Sequence, residues 1–312
     1  MTSETTSQET TSPKTILITG AAAGFGSLIA RSLVNAGHTV FATMRDPKGR
    51  NAAKAEALLA FARGKAGKLG VLELDVRNEA SVNAAVRLAS DAAGGLDVII
   101  NNAGVAHGMG TYGEAVSMEQ FQRSFDINVF GVQRVIRAAL PIFRKAERGL
   151  IVNLSSIMGR IVLPYSAAYT ATKYAVEGLS ESYRYELSRL GVDVVIIEPG
   201  GFPTDLFSTV EAPADQQRLA AYGPLSRVPA DLYDGIIGAI SSGEKSPNPQ
   251  AVADAVLAVV ETPAGRRPMR IVVDPFMGGT APEAVNKTTS EVQANLFEAI
   301  GQKDLLVLKG MD

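Results

Sequence analysis

The hydrophobic positions of this chain follow two alternating rhythms. Short β-branched runs recur at Thr15–Thr19, Thr39–Thr43, Leu69–Leu74, Leu96–Asn101, Leu150–Leu154, Val192–Glu198 and Met269–Val273. Between the first six lie helix-length stretches: Gly26–Ala36, Ala52–Arg63, Ala80–Ala92, Met118–Ala146 and Ala167–Leu190. Continuous apolar runs suit strands buried on both faces, and connections this long are helical crossovers. The pattern predicts an α/β fold, a doubly wound parallel sheet of about seven strands with helices on both faces.

No repeat or linker interrupts that rhythm, so residues 14–274 read as a single domain. Residues 1–13 are almost entirely polar and read as a disordered tail. From Phe202 to about Gln250 the chain is rich in Pro, Gly, Asp and Ser, and its helical signal is patchy. A long irregular segment in a compact fold points to a lid over a site. Residues 275–312 form a C-terminal extension with a helix expected near Glu291–Ile300, which could cap a pocket or pack against a partner.

Composition narrows the functional classes. Thirty basic residues against 32 acidic ones leave a formal charge of −2, so the chain shows no electrostatic footprint for nucleic acid or an anionic membrane. Cysteine is absent, which excludes disulfides and thiolate chemistry and suits a cytoplasmic setting. His38 and His107 are too few and too far apart for a histidine-rich metal site, and no metal is expected. No apolar run approaches the roughly 20 residues that span a bilayer, and the polar N-terminus is no secretory signal.

Ligands of an open parallel sheet bind beyond the carboxyl ends of its strands. The first expected strand runs into Thr19-Gly20-Ala21-Ala22-Ala23-Gly24-Phe25-Gly26 and then a helix. Such glycines let the backbone approach a phosphate, and a helix N-terminus supplies free N–H donors; a plain strand-to-helix turn would look the same. Asp75-Val76 follows the third strand, where a carboxylate could meet an adenine amine or simply start a helix. Asn101-Asn102-Ala103-Gly104 follows the fourth, as a cofactor floor braced by Asn side chains or as an ordinary turn. Ser156 follows the fifth, Tyr169 comes 13 residues later and Lys173 four after that. The i, i+4 spacing places Tyr169 and Lys173 on one helix face. An ammonium there is expected to lower the phenol's pKa so that it can exchange a proton with a carbonyl oxygen. Ser156 would hydrogen-bond the same oxygen.

In that order and at that spacing, Thr19-Gly20-x-x-x-Gly24-x-Gly26, Asn101-Asn102-Ala103-Gly104, Ser156, Tyr169-x-x-x-Lys173 and Pro199-Gly200 resemble the short-chain dehydrogenase/reductase family, in its shorter single-domain branch. The resemblance runs from about Lys14 to Asp205 and returns weakly before Asp274. It implies a Rossmann fold with strand order 3-2-1-4-5-6-7 and a catalytic tetrad of Asn128, Ser156, Tyr169 and Lys173. It also implies a cofactor held by Gly20, Gly24, Phe25, Gly26, Arg45, Asp75, Val76, Asn102, Ala103, Gly104, Tyr169, Lys173, Pro199, Gly200 and Thr204. Asn128 would hold a proton-refilling water, Lys173 would bind the nicotinamide ribose and Thr204 the carboxamide, although Thr204 also fits a helix N-cap.

The implied activity is hydride exchange between a nicotinamide cofactor and a hydrophobic carbonyl or secondary alcohol, with steroid- or retinoid-like molecules among the candidates. Arg45 after the second strand suits a 2′-phosphate and favours NADP(H). NAD(H) stays open because Asp46 is adjacent and because Ala23 stands where many NADP-using relatives carry a basic residue. Relatives assemble through their two long central helices, so a homodimer or homotetramer is expected. A non-catalytic, NADP(H)-binding redox-sensing regulator is the alternative; an epimerase or dehydratase of the extended branch would need a differently spaced glycine motif and a larger C-terminal domain.

Several further residues admit two readings. His107 could line the pocket but reads better as a solvated loop residue, and Tyr165 as a packing or flanking group. Arg266, Arg267 and Arg270 read as a solvated approach to the last strand. Met158, Leu163, Phe202, Leu206 and Phe207 could be substrate wall or core.

Overall fold

Seven parallel strands form one sheet in the order β3-β2-β1-β4-β5-β6-β7, as the resemblance implied. The computed structural model describes residues 12–242 and 246–309; most of the expected polar tail lies outside these. The strands are β1 (Thr15–Ile18), β2 (Thr39–Met44), β3 (Lys68–Glu73), β4 (Val98–Asn101), β5 (Gly149–Leu154), β6 (Val192–Pro199) and β7 (Arg270–Val273). Alternate side chains feed two cores. Ile16, Ile18, Val40, Val98, Ile100 and Val152 point to one face. Leu17, Phe41, Ile99, Ile151 and Val194 point to the other. A sheet covered on both sides needs this doubly apolar pattern, hence the uninterrupted runs.

The helices before β6 are α1 (Gly24–Asn35), α2 (Ala52–Ala62), α3 (Glu79–Ala93), α4 (Met118–Phe125), α5 (Gly131–Ala146) and α6 (Ala167–Ser188). Local signals fix their ends. Asn78 caps α3 by accepting from Ser81 N at 3.0 Å, and Gly94 closes it in the left-handed region. Ser117 and Gln120 form a capping box at the start of α4.

Three departures from expectation have physical causes. The expected helix Met118–Ala146 is interrupted by a π-helical turn, Asp126–Phe130, that re-aims one side chain. The segment after β6 is more helical than its composition suggested, with α7 (Gln216–Ala220), α8 (Val228–Ser241) and the unanticipated crossover helix α9 (Gln250–Glu261). Val252, Ala253, Val256, Val259 and Val260 of α9 are buried in the same core as Ile29, Ala30 and Leu33 of α1, so packing decides this helix. The C-terminal helix, α10 (Thr280–Ala299), is twice the expected length. Its threonines weaken the local signal, while tertiary bonds such as Asn286 Nδ2 to Glu198 Oε2 (2.7 Å) hold it. Phe297 packs edge-on against Tyr185 at 4.6 Å, so the extension folds back onto α6 and β7.

Candidate active site

The strand order reverses between β1 and β4, and a cleft of about 410 Å³ opens there at the carboxyl edge of the sheet. Its floor is the glycine-rich turn after β1. Gly20 has φ +68°, and a Cβ there would come within 2.8 Å of Ala103 Cα; this is a close approach of two backbones that only glycine permits. Gly24, at φ +53°, opens α1, whose N-terminus carries no side-chain cap and so leaves its N–H groups free. Gly26 does something else. It does not line the cleft; a Cβ on it would meet Gly20 O and Asn102 Nδ2 at 2.5 Å, so its smallness lets α1 press against the turn.

The Asn-Asn-Ala-Gly segment after β4 ties the strand ends together. Asn102 Nδ2 donates to Thr19 O (2.9 Å) and Gly20 O (3.0 Å). Thr19 Oγ1 accepts from the backbone N–H groups of Asn102 and Ala103, each at 3.0 Å. Asn101 Nδ2 reaches across to Asn153 Oδ1 at 2.8 Å. These bonds leave Asn102, Ala103 and Gly104 facing the cleft.

One end of the cleft is basic. Arg45, Lys54 and Arg77 line it together with Asn51, Asp75 and Val76. Burial and the like charges of Arg50 and Arg77 hold Arg45 below the usual guanidinium range. Asp75 accepts from Arg77 N, Nε and Nη2 at 3.0, 3.1 and 2.7 Å, and that pairing keeps its carboxyl below the usual range. Asp46 turns away: it sits at φ 46° and its carboxylate accepts from Arg50 N at 2.9 Å, outside the cleft lining. Lys54, Arg77 and Asn51 were not singled out from sequence. Only Arg77, two residues past a strand-end aspartate, carried a local hint.

At the other end stand Ser156, Tyr169 and Lys173, with relative exposures of 7%, 5% and 8%. Lys173 Nζ donates to Leu154 O at 3.0 Å and lies 5.5 Å from the centre of the Tyr169 ring. Ser156 Oγ donates to Pro199 O at 3.4 Å and accepts from Met158 N at 3.1 Å. The phenol's acidity differs from expectation. Burial pushes Tyr169 up to about 12, with the Ser156 hydroxyl pulling weakly the other way. Burial also brings Lys173 down to about 8, with Glu177 opposing. Desolvation disfavours both ionised forms and is the largest influence on each.

Asn128 lies on the π-turn, buried and outside the cleft lining. Its amide bonds Val105 N and O, each at 2.9 Å, and donates to Thr172 Oγ1 at 3.0 Å. It thus locks the loop after β4 to the helix carrying Tyr169. Pro199, Gly200 and Thr204 line the remaining wall. A Cβ on Gly200 would collide with the Asp274 carboxylate. Thr204 stands at the N-cap of a short 3₁₀ turn, Asp205–Thr209, without a capping hydrogen bond from its side chain.

The undecided residues divide by position. Met158, Leu163, Leu206 and Phe207 gather with Met109, Ile157 and Tyr233 around Tyr169 in a small apolar cluster. Phe202 belongs to the main core, edge-on to Phe25 at 5.5 Å. Tyr165 packs edge-on against Tyr112 at 5.2 Å. His107 is not solvated: it is buried, with Nε2 3.4 Å from Glu211 Oε1, and burial lowers its pKa. Of the arginines before and on the last strand, Arg266 is exposed as expected, whereas Arg267 and Arg270 depart from expectation. Arg267 is buried, donating to Val259 O (2.9 Å) and Asp193 Oδ2 (3.2 Å). Arg270 is enclosed by Glu177 (2.9 Å) and Glu181 (2.7 Å). Buried carboxylates on α6 and β6 draw both arginines inward. The C-terminal extension contributes no side chain to the cleft lining among the described residues, and no described helix is long and apolar enough to cross a membrane.

A family model described as short chain dehydrogenase matches residues 14–215. An uncharacterized oxidoreductase of Bacillus subtilis, YusZ, is 37% identical over 78% of this chain and 83% of its own length. The 3-ketodihydrosphingosine reductase of Bacteroides thetaiotaomicron is 39% identical over 62% of this chain and 65% of its own. A short-chain dehydrogenase of Streptomyces avermitilis superposes with a TM-score of 0.70 at 28% identity, over 93% of this chain and 98% of that one. With the glycine turn, the Asn-Asn-Ala-Gly floor and the Ser156, Tyr169 and Lys173 group all on one sheet edge, the chain belongs to the short-chain dehydrogenase family and is an oxidoreductase with a Rossmann fold.

Proposed function

We propose that the protein exchanges a hydride between NADP(H) and a hydrophobic ketone, aldehyde or secondary alcohol, with Tyr169 as the proton-transferring group. The observation that carries this reading is the cleft's polarity: three cations at one end and three buried hydrogen-bonding side chains at the other. The turn at Gly20 and Gly24, where a side chain would fill the cradle or strain the backbone, fits a pyrophosphate lying against the N-terminus of α1. Arg45, Lys54 and Arg77 would meet a 2′-phosphate; Asp46 turns out of the lining, and Asp75, the carboxylate that stays in it, is paired with Arg77. Solved relatives were captured with either nucleotide: an alcohol dehydrogenase of Thermococcus sibiricus with 5-hydroxy-NADP, and a 3-ketoacyl-(acyl-carrier-protein) reductase of Brucella melitensis with NADH. Gly104, Pro199, Gly200 and Thr204 would flank the nicotinamide, and Lys173 its ribose.

The bound nicotinamide would give the hydride to, or take it from, the substrate carbon. The side chains handle the oxygen. Ser156 donates a hydrogen bond to it as charge develops, and Tyr169, protonated at neutral pH, supplies its proton in reduction. The apolar cluster around Tyr169 excludes water and favours a hydrophobic substrate. The segment 204–215 serves as part of a lid. Thr209 Oγ1 accepts from Ala106 N at 2.9 Å, and Glu211 pairs with Arg123 at 2.8 Å, on the opposite wall. We infer a homodimer or homotetramer, as the family resemblance implies, in the cytoplasm. The test is NADPH oxidation against a panel of long-chain ketones and aldehydes, with the alcohol product identified; turnover confined to small polar carbonyls or to NADH overturns the reading.

A further inference from the structure

Behind the cleft lies a second group of ionisable side chains that the chemistry above does not use. Tyr169, Lys173, Glu177 and Glu181 follow one another at four-residue intervals on α6. Glu177 and Glu198 are buried to 2% and 0% exposure. A single nitrogen, Arg270 Nε on β7, faces both: Glu177 Oε2 at 2.9 Å and Glu198 Oε1 at 3.4 Å. Arg270 Nη2 is committed to Glu181 Oε2 at 2.7 Å. From α10, Asn286 Nδ2 donates to Glu198 Oε2 at 2.7 Å, and Arg160, after β5, is the remaining nearby cation. Among the described residues Glu177 Oε1 and Glu198 Oε1 have no hydrogen-bond partner. The cluster lies close to the site: a Cβ on Gly159 would meet Ser155 Oγ at 2.6 Å and Glu177 Oε1 at 3.2 Å, and Ser155 adjoins Ser156.

One N–H cannot satisfy two buried carboxylates when both are ionised, and like charges this close favour keeping a proton between them. We propose that Glu177 and Glu198 share one proton across Arg270, and that Glu177 is a positioning residue that keeps Lys173 charged. The Lys173 role rests on the catalytic reading above; the shared proton does not. Burial and the neighbouring Glu177 push Glu198 up to about 7, and Glu177 is the group that raises Lys173 against its desolvation. The two effects are linked. As pH rises and the shared proton leaves, the added negative charge supports the ammonium of Lys173 over the pH range in which it would otherwise be lost.

The test uses Glu177→Gln and Glu198→Gln in the full chain. Gln keeps the side-chain shape, and either variant leaves Glu181 and one of the two buried carboxylates to pair with Arg270. The first readout is the pH profile of kcat/KM. The alkaline limb is expected to move to lower pH by about one unit in Glu177→Gln; an unmoved limb with a lowered kcat means a merely structural role and overturns the positioning assignment. The second readout needs no substrate. A carboxyl whose folded pKa is raised stabilises fully below its unfolded value and loses that contribution as pH rises through the folded one. The Tm of the wild-type chain, minus that of Glu198→Gln, is therefore expected to fall between the ordinary carboxylate range and about pH 7. A difference that is flat with pH overturns the shared proton. A wild-type chain that reduces no carbonyl sinks the catalytic reading and the Lys173 role with it, and the Tm comparison still decides the carboxylate pair.

Discussion

Asn128 and Val105 are joined by two reciprocal hydrogen bonds: the Asn128 side-chain oxygen accepts from Val105 N, and its amide donates to Val105 O, each at 2.9 Å. A side chain that mimics a paired strand edge fixes the loop at the cleft's mouth. The π-turn, Asp126–Phe130, is the local structure that carries it.

Asn128→Ala is expected to lower Tm, because it leaves the N–H and C=O of Val105 without partners in a buried place and removes the amide donor to the Thr172 hydroxyl. Unsatisfied buried polar groups cost about 1–3 kcal/mol each. Turnover should fall with it, since Thr172 Oγ1 also donates to Tyr169 O at 2.7 Å. Thermal denaturation and steady-state kinetics of the one variant check both, and an unchanged Tm would remove the bracing role.

Tyr169→Phe is expected to lower turnover by roughly 10²–10⁴. The ring keeps its packing with Met109, Ile157 and Met158, so cofactor affinity should stay near wild type. Turnover equal to wild type would mean that another group moves the proton.

NADPH is expected to raise Tm more than NADH at equal concentration, because the tighter ligand stabilises more. Arg45→Ala should shrink that difference while leaving the NADH shift in place, since Arg45 lies at the basic end of the cleft with Lys54 and Arg77. A larger shift with NADH would reverse the cofactor assignment.

The pH dependence follows from Lys173. Burial lowers it to about 8, so the ammonium is lost as pH rises through that value, and kcat/KM should fall along an alkaline limb centred near it. The sign for stability is opposite. The unfolded lysine titrates near 10.5, so carrying the buried charge destabilises the fold fully below about pH 8 and less as pH rises towards the unfolded value. Lys173→Met is therefore expected to abolish turnover yet stabilise the chain at pH 7 by on the order of 2 kcal/mol, after the lost bond to Leu154 is counted. A destabilised Lys173→Met would show that the bond outweighs the desolvation.

The strands were legible because burial on both faces writes itself as unbroken apolar runs, and because glycine turns and caps act over a few residues; their order came only through the family resemblance. The same locality made Gly20, Ser156, Tyr169 and Lys173 visible: each sits at a strand end or on one helix face set by a four-residue period. What escaped is non-local. Helix α9 exists because Val252, Val256 and Val259 find Ile29 and Leu33 some two hundred residues away in sequence. His107, Arg267 and Arg270 look solvated until Glu211, Asp193 and Glu177 are brought against them.

The amino-acid sequence by itself determined the strands, most of the helices that connect the first six of them, and the placing of Ser156, Tyr169 and Lys173 along one strand end and helix face, since hydrophobic period and backbone permissiveness are properties of neighbouring residues. Only the tertiary structure decided the acidities of Tyr169 and Lys173, the outward turn of Asp46 and the carboxylate pair behind the cleft. Desolvation and charge pairing depend on what distant parts of the chain remove from water together, and no spacing along the chain encodes that.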